Sequence, residues 1–304
     1  MKKAKLFMDT VVEIQVVING TASKEAAETK VDRAFEAFRK VEHACSRFSP
    51  DSELMTACRN MEKPVPISPF LFEPLKFALE MAKWTEGEFD PAIGKVMEEQ
   101  GYNRHYLTGT SIETPSADST AAYRDIILDE QDHTLYLNKP LVIDLGAVAK
   151  GFAIDLAAKE LREFESFIIN AGGDLFAAGM DRNGRPWKVG IQHPIKKDQI
   201  IDCIEISNEA VCTSGSYERR NAKMPGMHHI ISPKTGYSPN DCVSSTIIAP
   251  FAMLADAFST TAFLFGHEKG KKLIESVGLS GLFITSDLQI VKVGGIQNDS
   301  KEMA

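Results

Sequence analysis

LVIDLGAVAKGFAIDLAAKELREFESFIINAGGD, residues 141–174, is the stretch whose reading decides the fold. The apolar run Leu141–Asp144 reads as a strand, and Gly146 permits a tight turn after it. AIDLAAKEL (153–161) then reads as an apolar helix, and FIIN (Phe167–Asn170) as a second strand ended by Gly172-Gly173. Working outward, TVVEIQVVI (Thr10–Ile18) alternates as a strand does, and Asn19-Gly20 follows as a turn. From about Ser23 a helix is expected, because Ala27, Val31, Ala34, Phe38, Val41 and Cys45 recur at steps of three and four. Ser68-Pro69 opens another helix, with Leu71, Leu75, Ala78, Leu79 and Ala82 as its buried stripe and an end near Gly87. Ser, Thr, Gly and Pro make Thr108–Thr120 a loop; the short strands DIILDE and TLYLN follow it. LFITSDLQIVKVGG in the tail reads as a hairpin turning at Ser286-Asp287. Long runs of strands between helices favour α+β over a doubly wound sheet. One compact unit over residues 6–297 is expected, with flexible termini at 1–5 and 298–304.

Composition narrows the function classes. The chain has 304 residues, 43% hydrophobic and 25% charged, with a formal net charge of −8. A large buried core is within reach, and no Lys/Arg block is long enough to track a polynucleotide, so nucleic acid is excluded as a partner. The five cysteines form no Cys-x-x-Cys pair and no zinc spacing. After the basic start only Leu6, Phe7 and Met8 run apolar before Asp9, too short for a signal core. The expectation is a cytoplasmic protein, or the mature part of an exported, periplasmic one whose leader has been removed.

No standard nucleotide-binding glycine motif and no Gly-x-Ser-x-Gly elbow is present. Four other segments can carry chemistry. In VIDLGAVAKGFAID, Asp144, free backbone groups and Lys150 gather at one turn; the alternative is a capping Asp and a solvated Lys. In PFAMLADAFSTTAFLFG (250–266), apolar nearly all round, Asp256, Ser259 and Thr260 share a helix face. A charged Asp there needs pairing with a cation or coordination to a metal, and hard oxygen ligands suit Mg²⁺; a salt bridge to an Arg elsewhere is the other reading. In MHHIISPKTGYSP, His228 and His229 precede an expected strand, so they point to opposite faces and at most one faces a given site. EGEFDPAIG and NAGGDLFAAG are glycine-bearing turns where backbone can approach a ligand, and Phe48 can lie against a flat ring or in the core.

Taken in order, FMDT, SRFSPDSEL, GEFDPAIG, IDLGAVAKG, NAGGD, VGIQHP, CTSGSYER, HHIISPKTG and APFAMLADAFST resemble the ApbE family of FAD:protein FMN transferases across nearly the whole chain. The resemblance implies an α+β, T-fold-like architecture of mixed sheets and packed helices, two-lobed with FAD in the cleft. It implies FAD contacts at Met8, Phe48, Asp90, Pro91, Ala92, Asp144, Lys150 and His229, with Phe48 against the isoalloxazine ring. It also implies Mg²⁺ ligands at Ala147, through its carbonyl, and at Asp256 and Thr260, with His229 as general base. The implied reaction moves FMN from FAD to a Thr or Ser of an acceptor protein, such as a subunit of a redox-driven membrane complex, and releases AMP. FAD hydrolysis to FMN and AMP, and FAD binding without chemistry, are the alternatives. Departures from the family pattern include Asp9, where Gly is commonest after Met, and Ser232, where the turn usually has Asp or Asn.

Overall fold

Strand pairing begins at the very start of the chain. A computed structural model describes residues 1–18, 24–61, 63–105, 108–112, 117–219, 221 and 224–296; the Asn19-Gly20 turn, Ser23 and the 298–304 terminus lie outside them. β1 (Lys2–Phe7) pairs antiparallel with β2 (Thr10–Val16), so residues 1–5 are not the flexible arm expected from sequence. KKAKLF has no alternation to announce a strand. The two-residue turn Met8-Asp9 creates it, with φ of 50 and 61, positive at both positions as hairpins with tight turns require. That geometry favours glycine, and Asp9 adopts it with a side chain.

The following elements are α1 (Lys24–Cys45), α2 (Glu53–Arg59), β3 (Val65–Pro66), α3 (Pro69–Trp84), α4 (Gly94–Glu99), β4 (Ile126–Asp129) and β5 (Thr134–Leu137). Then come α5 (Ala149–Leu161), β6 (Phe167–Ala171), β7 (Asp174–Ala178), β8 (Trp187–Gln192), β9 (Ile200–Ile206) and β10 (Glu209–Gly215). β11 (Cys242–Ala249), α6 (Ala252–Ser276), β12 (Ser280–Thr285) and β13 (Ile290–Val293) complete the described chain. Eight strands form one sheet in the order β1-β2-β6-β7-β10-β11-β12-β13, every neighbouring pair antiparallel. β3-β5-β4 make a smaller sheet, and β8-β9 a ribbon.

Side-chain alternation sorts the main sheet into two faces. Ala210, Cys212, Ile247 and Phe283 pack into the core under the helices, where α1 meets α5 and α6 lies on β10 and β11. Their strand neighbours Val211, Ile248, Leu282 and Ile284 pack with Trp187, Val189, Ile204 and Ile206 of the ribbon on the opposite face. The middle of the sheet is therefore buried on both faces. Among the described residues, no helix is long and apolar enough to cross a membrane.

Two sequence expectations are corrected here. Leu141–Asp144 is not a ladder strand: Gly94 N–H donates to the Val142 carbonyl (3.1 Å), and Asp144 N–H to that of Pro91 (2.8 Å). The segment therefore lies against the Asp90 turn, whose position no local pattern could reveal. Ile230-Ile231, expected as a strand after the histidine pair, is irregular. Helix α6 does run through 252–266 as its apolar surface predicts, but it continues to Ser276 with non-helical backbone at Gly266.

Candidate active site

One turn and parts of four elements converge on one cleft of ≈ 910 Å³. The β1-β2 turn brings Met8 and Asp9, the end of α1 brings Arg47 and Phe48, and the start of α5 brings Ala147 and Lys150. β10 contributes Thr213 and Ser214, and α6 contributes Asp256 and Thr260. Met8, Phe48, Asp90, Pro91, Asp144, Ala147, Lys150, His229, Asp256 and Thr260 all line this cleft. Ala92 alone of the sequence candidates is not on its wall; its N–H instead donates to Asp90 Oδ1 (2.8 Å).

Asp256 is buried in the wall, at 4% exposure. Its Oδ2 accepts the Gly151 N–H at 3.0 Å. This bond exists because residue 151 has no side chain: a Cβ would lie 2.4 Å from the Ala252 carbonyl oxygen. The first turn of α5 is thereby pressed against the first turn of α6. Asp155 fastens the same junction, its two oxygens accepting the Ala252 (2.6 Å) and Met253 (2.9 Å) N–H groups at the start of α6. Burial and then the neighbouring Asp174 push the Asp256 carboxyl well above the usual carboxylate range, against the opposing pull of Lys150.

Asp174, 3% exposed at the start of β7, accepts from Lys150 Nζ and, at 2.9 Å, from Thr213 N–H. Burial disfavours the Lys150 charge, yet Asp174 and Asp256 outweigh it and hold the ammonium protonated. Thr260 and Ser259 both share hydrogen bonds with the Ser214 hydroxyl, each at 2.9 Å. Ser259 also donates back to the Asp256 carbonyl at 2.9 Å, so Thr260 is the hydroxyl that faces the cleft. Two carboxylates, one ammonium and several hydroxyls therefore meet in a small volume. No grouping of three or more His, Cys, Asp or Glu side chains that could hold a metal occurs among the described residues. The donor set suits a hard cation held by few protein oxygens, such as Mg²⁺, which completes its shell with water and phosphate.

The other end of the cleft is differently made. Arg47, 3% exposed, donates from Nε to Asp144 Oδ2 (2.7 Å) and from Nη2 to the Tyr102 carbonyl (3.0 Å). Asp144 Oδ1 accepts the Gly146 N–H at 2.8 Å. Burial would raise the Asp144 pKa, but Arg47 and the Gly146 N–H outweigh it and hold the carboxyl below the usual range. The Phe48 ring lies under the Arg47 guanidinium at 4.5 Å, with the His105 ring edge-on at 6.0 Å. Asp90 caps its own turn, accepting from Ala92 and from Tyr123 N–H (3.1 Å).

The adjacent histidines separate as an extended segment demands. His228 Nε2 bonds the Pro239 carbonyl (3.0 Å) and its ring meets Phe263 edge-on at 5.4 Å, whereas His229 faces the cleft. Burial first, then the positive charge of Arg219, lowers the His229 pKa to about 3, so its imidazole is neutral. Its Nδ1 is shielded from solvent and has no hydrogen-bond partner among the described residues.

Sequence reasoning passed over Arg47, Asp174 and Ser214 as site residues. NAGGD held the signal for Asp174, a carboxylate directly after a glycine turn and opening a strand. Arg47 had a weaker one, a charge between the buried end of an amphipathic helix and an aromatic.

Comparison with known proteins gives a consistent result. Residues 8–283 match the ApbE family. The FAD:protein FMN transferase of Escherichia coli (strain K12) is 28% identical over 286 residues, 89% of this chain and 80% of that protein. Its counterpart from Salmonella typhimurium is 29% identical over 297 residues, 92% of this chain and 83% of that one. Among solved structures, the ApbE protein of Thermotoga maritima superposes with a TM-score of 0.84 at 26% identity, covering 96% of both chains.

Proposed function

The chain belongs to the ApbE family, and we propose that it is an FAD:protein FMN transferase, moving FMN from FAD to a Thr or Ser hydroxyl of an acceptor protein. The observation that carries this reading is the placement of Asp256, Thr260, Lys150 and Asp174 in the same cleft as Phe48 and His229. A planar ring can lie at one end while a pyrophosphate meets the oxygen donors and the ammonium near the other.

In the reaction, the acceptor hydroxyl oxygen bonds to the FMN phosphorus of FAD, the bond from that phosphorus to the bridging oxygen breaks, and AMP leaves. The proton of the hydroxyl passes to a base. His229 suits this task because it lines the cleft and its imidazole is neutral. An anionic pyrophosphate beside it acts against the charges of Arg219 and Lys150, raising its basicity when substrate is bound. Lys150, held by Asp174, supplies fixed positive charge without reorganisation. A magnesium ion held by Asp256, the Thr260 hydroxyl and the Ala147 carbonyl would neutralise pyrophosphate charge. The donor chemistry fits such an ion, because Asp256 is buried with one backbone N–H as its bonded partner and shares Lys150 with Asp174.

The test is to incubate the protein with FAD and Mg²⁺, with and without a Thr-bearing acceptor peptide, and to measure AMP and peptide-bound flavin. AMP released in step with peptide flavinylation is the expected result. AMP with free FMN, whatever the peptide, identifies a hydrolase, and FAD retained without AMP identifies a non-catalytic binder.

A further inference from the structure

We propose that Arg47 is a positioning residue for the flavin end of the cleft, fixing through one guanidinium both the Phe48 ring and the loop that leads from Asp144 to Lys150. The inference rests on the reading of the cleft as an FAD site. It starts from the chain: Arg47 is the second residue after α1, where the helix C-terminus favours a cation. Ser46 N–H still donates to the Glu42 carbonyl (3.0 Å), and Phe48 N–H donates to the Ser46 hydroxyl (3.2 Å), so the turn that presents both side chains is held locally.

The guanidinium then joins three segments far apart in sequence. It bonds Asp144 on the loop before α5 and the Tyr102 carbonyl after α4, and it lies 4.5 Å from the centre of the Phe48 ring. Its Nη1 is buried without a hydrogen-bond partner among the described residues, 4.0 Å from the Glu98 carboxylate. Burying an arginine with one donor unsatisfied is costly, and a methionine or leucine would fill the same volume. The guanidinium plane does what those side chains cannot: it meets a carboxylate in its plane and an aromatic face above it. Since the Asp144 oxygens are engaged by Arg47 and Gly146, the carboxylate serves to hold the loop from which Ala147 and Lys150 project.

Arg47→Lys keeps the charge and loses the plane. Flavin fluorescence quenching on titration with FAD, run alongside magnesium dependence of AMP release at saturating FAD and thermal unfolding, separates the outcomes. The expected result is a folded variant whose FAD affinity falls about tenfold or more, with weaker quenching of bound flavin and a smaller rise in the magnesium half-saturation, because Ala147 projects from the loop that Arg47 holds while Asp256 and Thr260 do not. A folded variant with wild-type FAD affinity and quenching overturns the proposal, as does equal loss of FAD affinity and magnesium dependence, which marks a merely structural residue. Should Arg47→Lys not fold, the charge-neutral pair Arg47→Gln with Asp144→Asn is measured instead. Weakened FAD binding in the pair supports the proposal, and wild-type affinity overturns it. Absence of quenching by the wild-type protein would overturn the reading of the cleft as an FAD site.

Discussion

Asp144 and Asp256 stand on the same cleft, the first half-buried and the second buried, and their charges are settled in opposite ways. Asp144 is paired with Arg47 at 2.7 Å and its pKa is lowered despite burial. Asp256 has the Gly151 N–H, shares Lys150 with Asp174, and its pKa is raised. Burial alone therefore does not decide the state of a carboxylate; the cation within reach does. At Asp144 the protein supplies that cation itself, and the result is a fixed wall. At Asp256 two acids compete for one ammonium, and the deficit of positive charge is what a divalent ion would remedy.

Substitution of each acid by its amide should break the symmetry of the pair. Asp144→Asn leaves a buried guanidinium without its counter-charge and is expected to destabilise the protein by about 3 kcal/mol. Asp256→Asn removes a group that burial disfavours when ionised and should be neutral or stabilising in the absence of metal. Urea unfolding of both variants checks this, and equal destabilisation would contradict it.

The histidines offer the next contrast. His229→Ala is expected to slow transfer about 10²-fold with little change in FAD affinity. His228→Ala should lower thermal stability and leave turnover much less affected, because its ring is spent on the Pro239 carbonyl and Phe263. Because the His229 pKa is lowered to about 3, the free enzyme has this base unprotonated from pH 5 to 8, and kcat/KM should show no acid limb from it there. A limb near pH 6.5 that vanishes in His229→Ala would show that the imidazole is exposed to ordinary solvation. Thr260→Ala carries the smallest expected effect, about a tenfold rise in the magnesium needed for half-maximal rate, since a neutral hydroxyl binds a hard ion less strongly than a carboxylate. A wild-type magnesium requirement would place the ion away from this helix face.

How much of this was legible in the sequence follows the range of the interactions. α1, α3 and α6 were readable because their apolar residues recur along the chain itself, and Asp256 and Thr260 because helical spacing puts them on one face. The α+β class followed from the succession of strands, and the antiparallel sheet agrees with it. β1 was hidden because KKAKLF has no alternation and Met8-Asp9 lacks the glycine that marks a two-residue hairpin turn. Leu141–Asp144 looked like a strand because its side chains are buried, but its hydrogen bonds go to the Asp90 turn some fifty residues earlier. Arg47 and Asp174 were missed for the same reason: their roles are set by partners 97 and 24 residues away.

The account stands most directly on Asp256. AMP release should be followed over a magnesium titration at saturating FAD for the wild-type protein and for Asp256→Asn, with thermal unfolding of each recorded alongside. The expected result is a folded Asp256→Asn protein whose magnesium-dependent rate is lower by about 10³-fold or more, the loss expected when charge stabilisation of a transition state is removed. A folded Asp256→Asn protein with the wild-type rate and the wild-type magnesium dependence would contradict it.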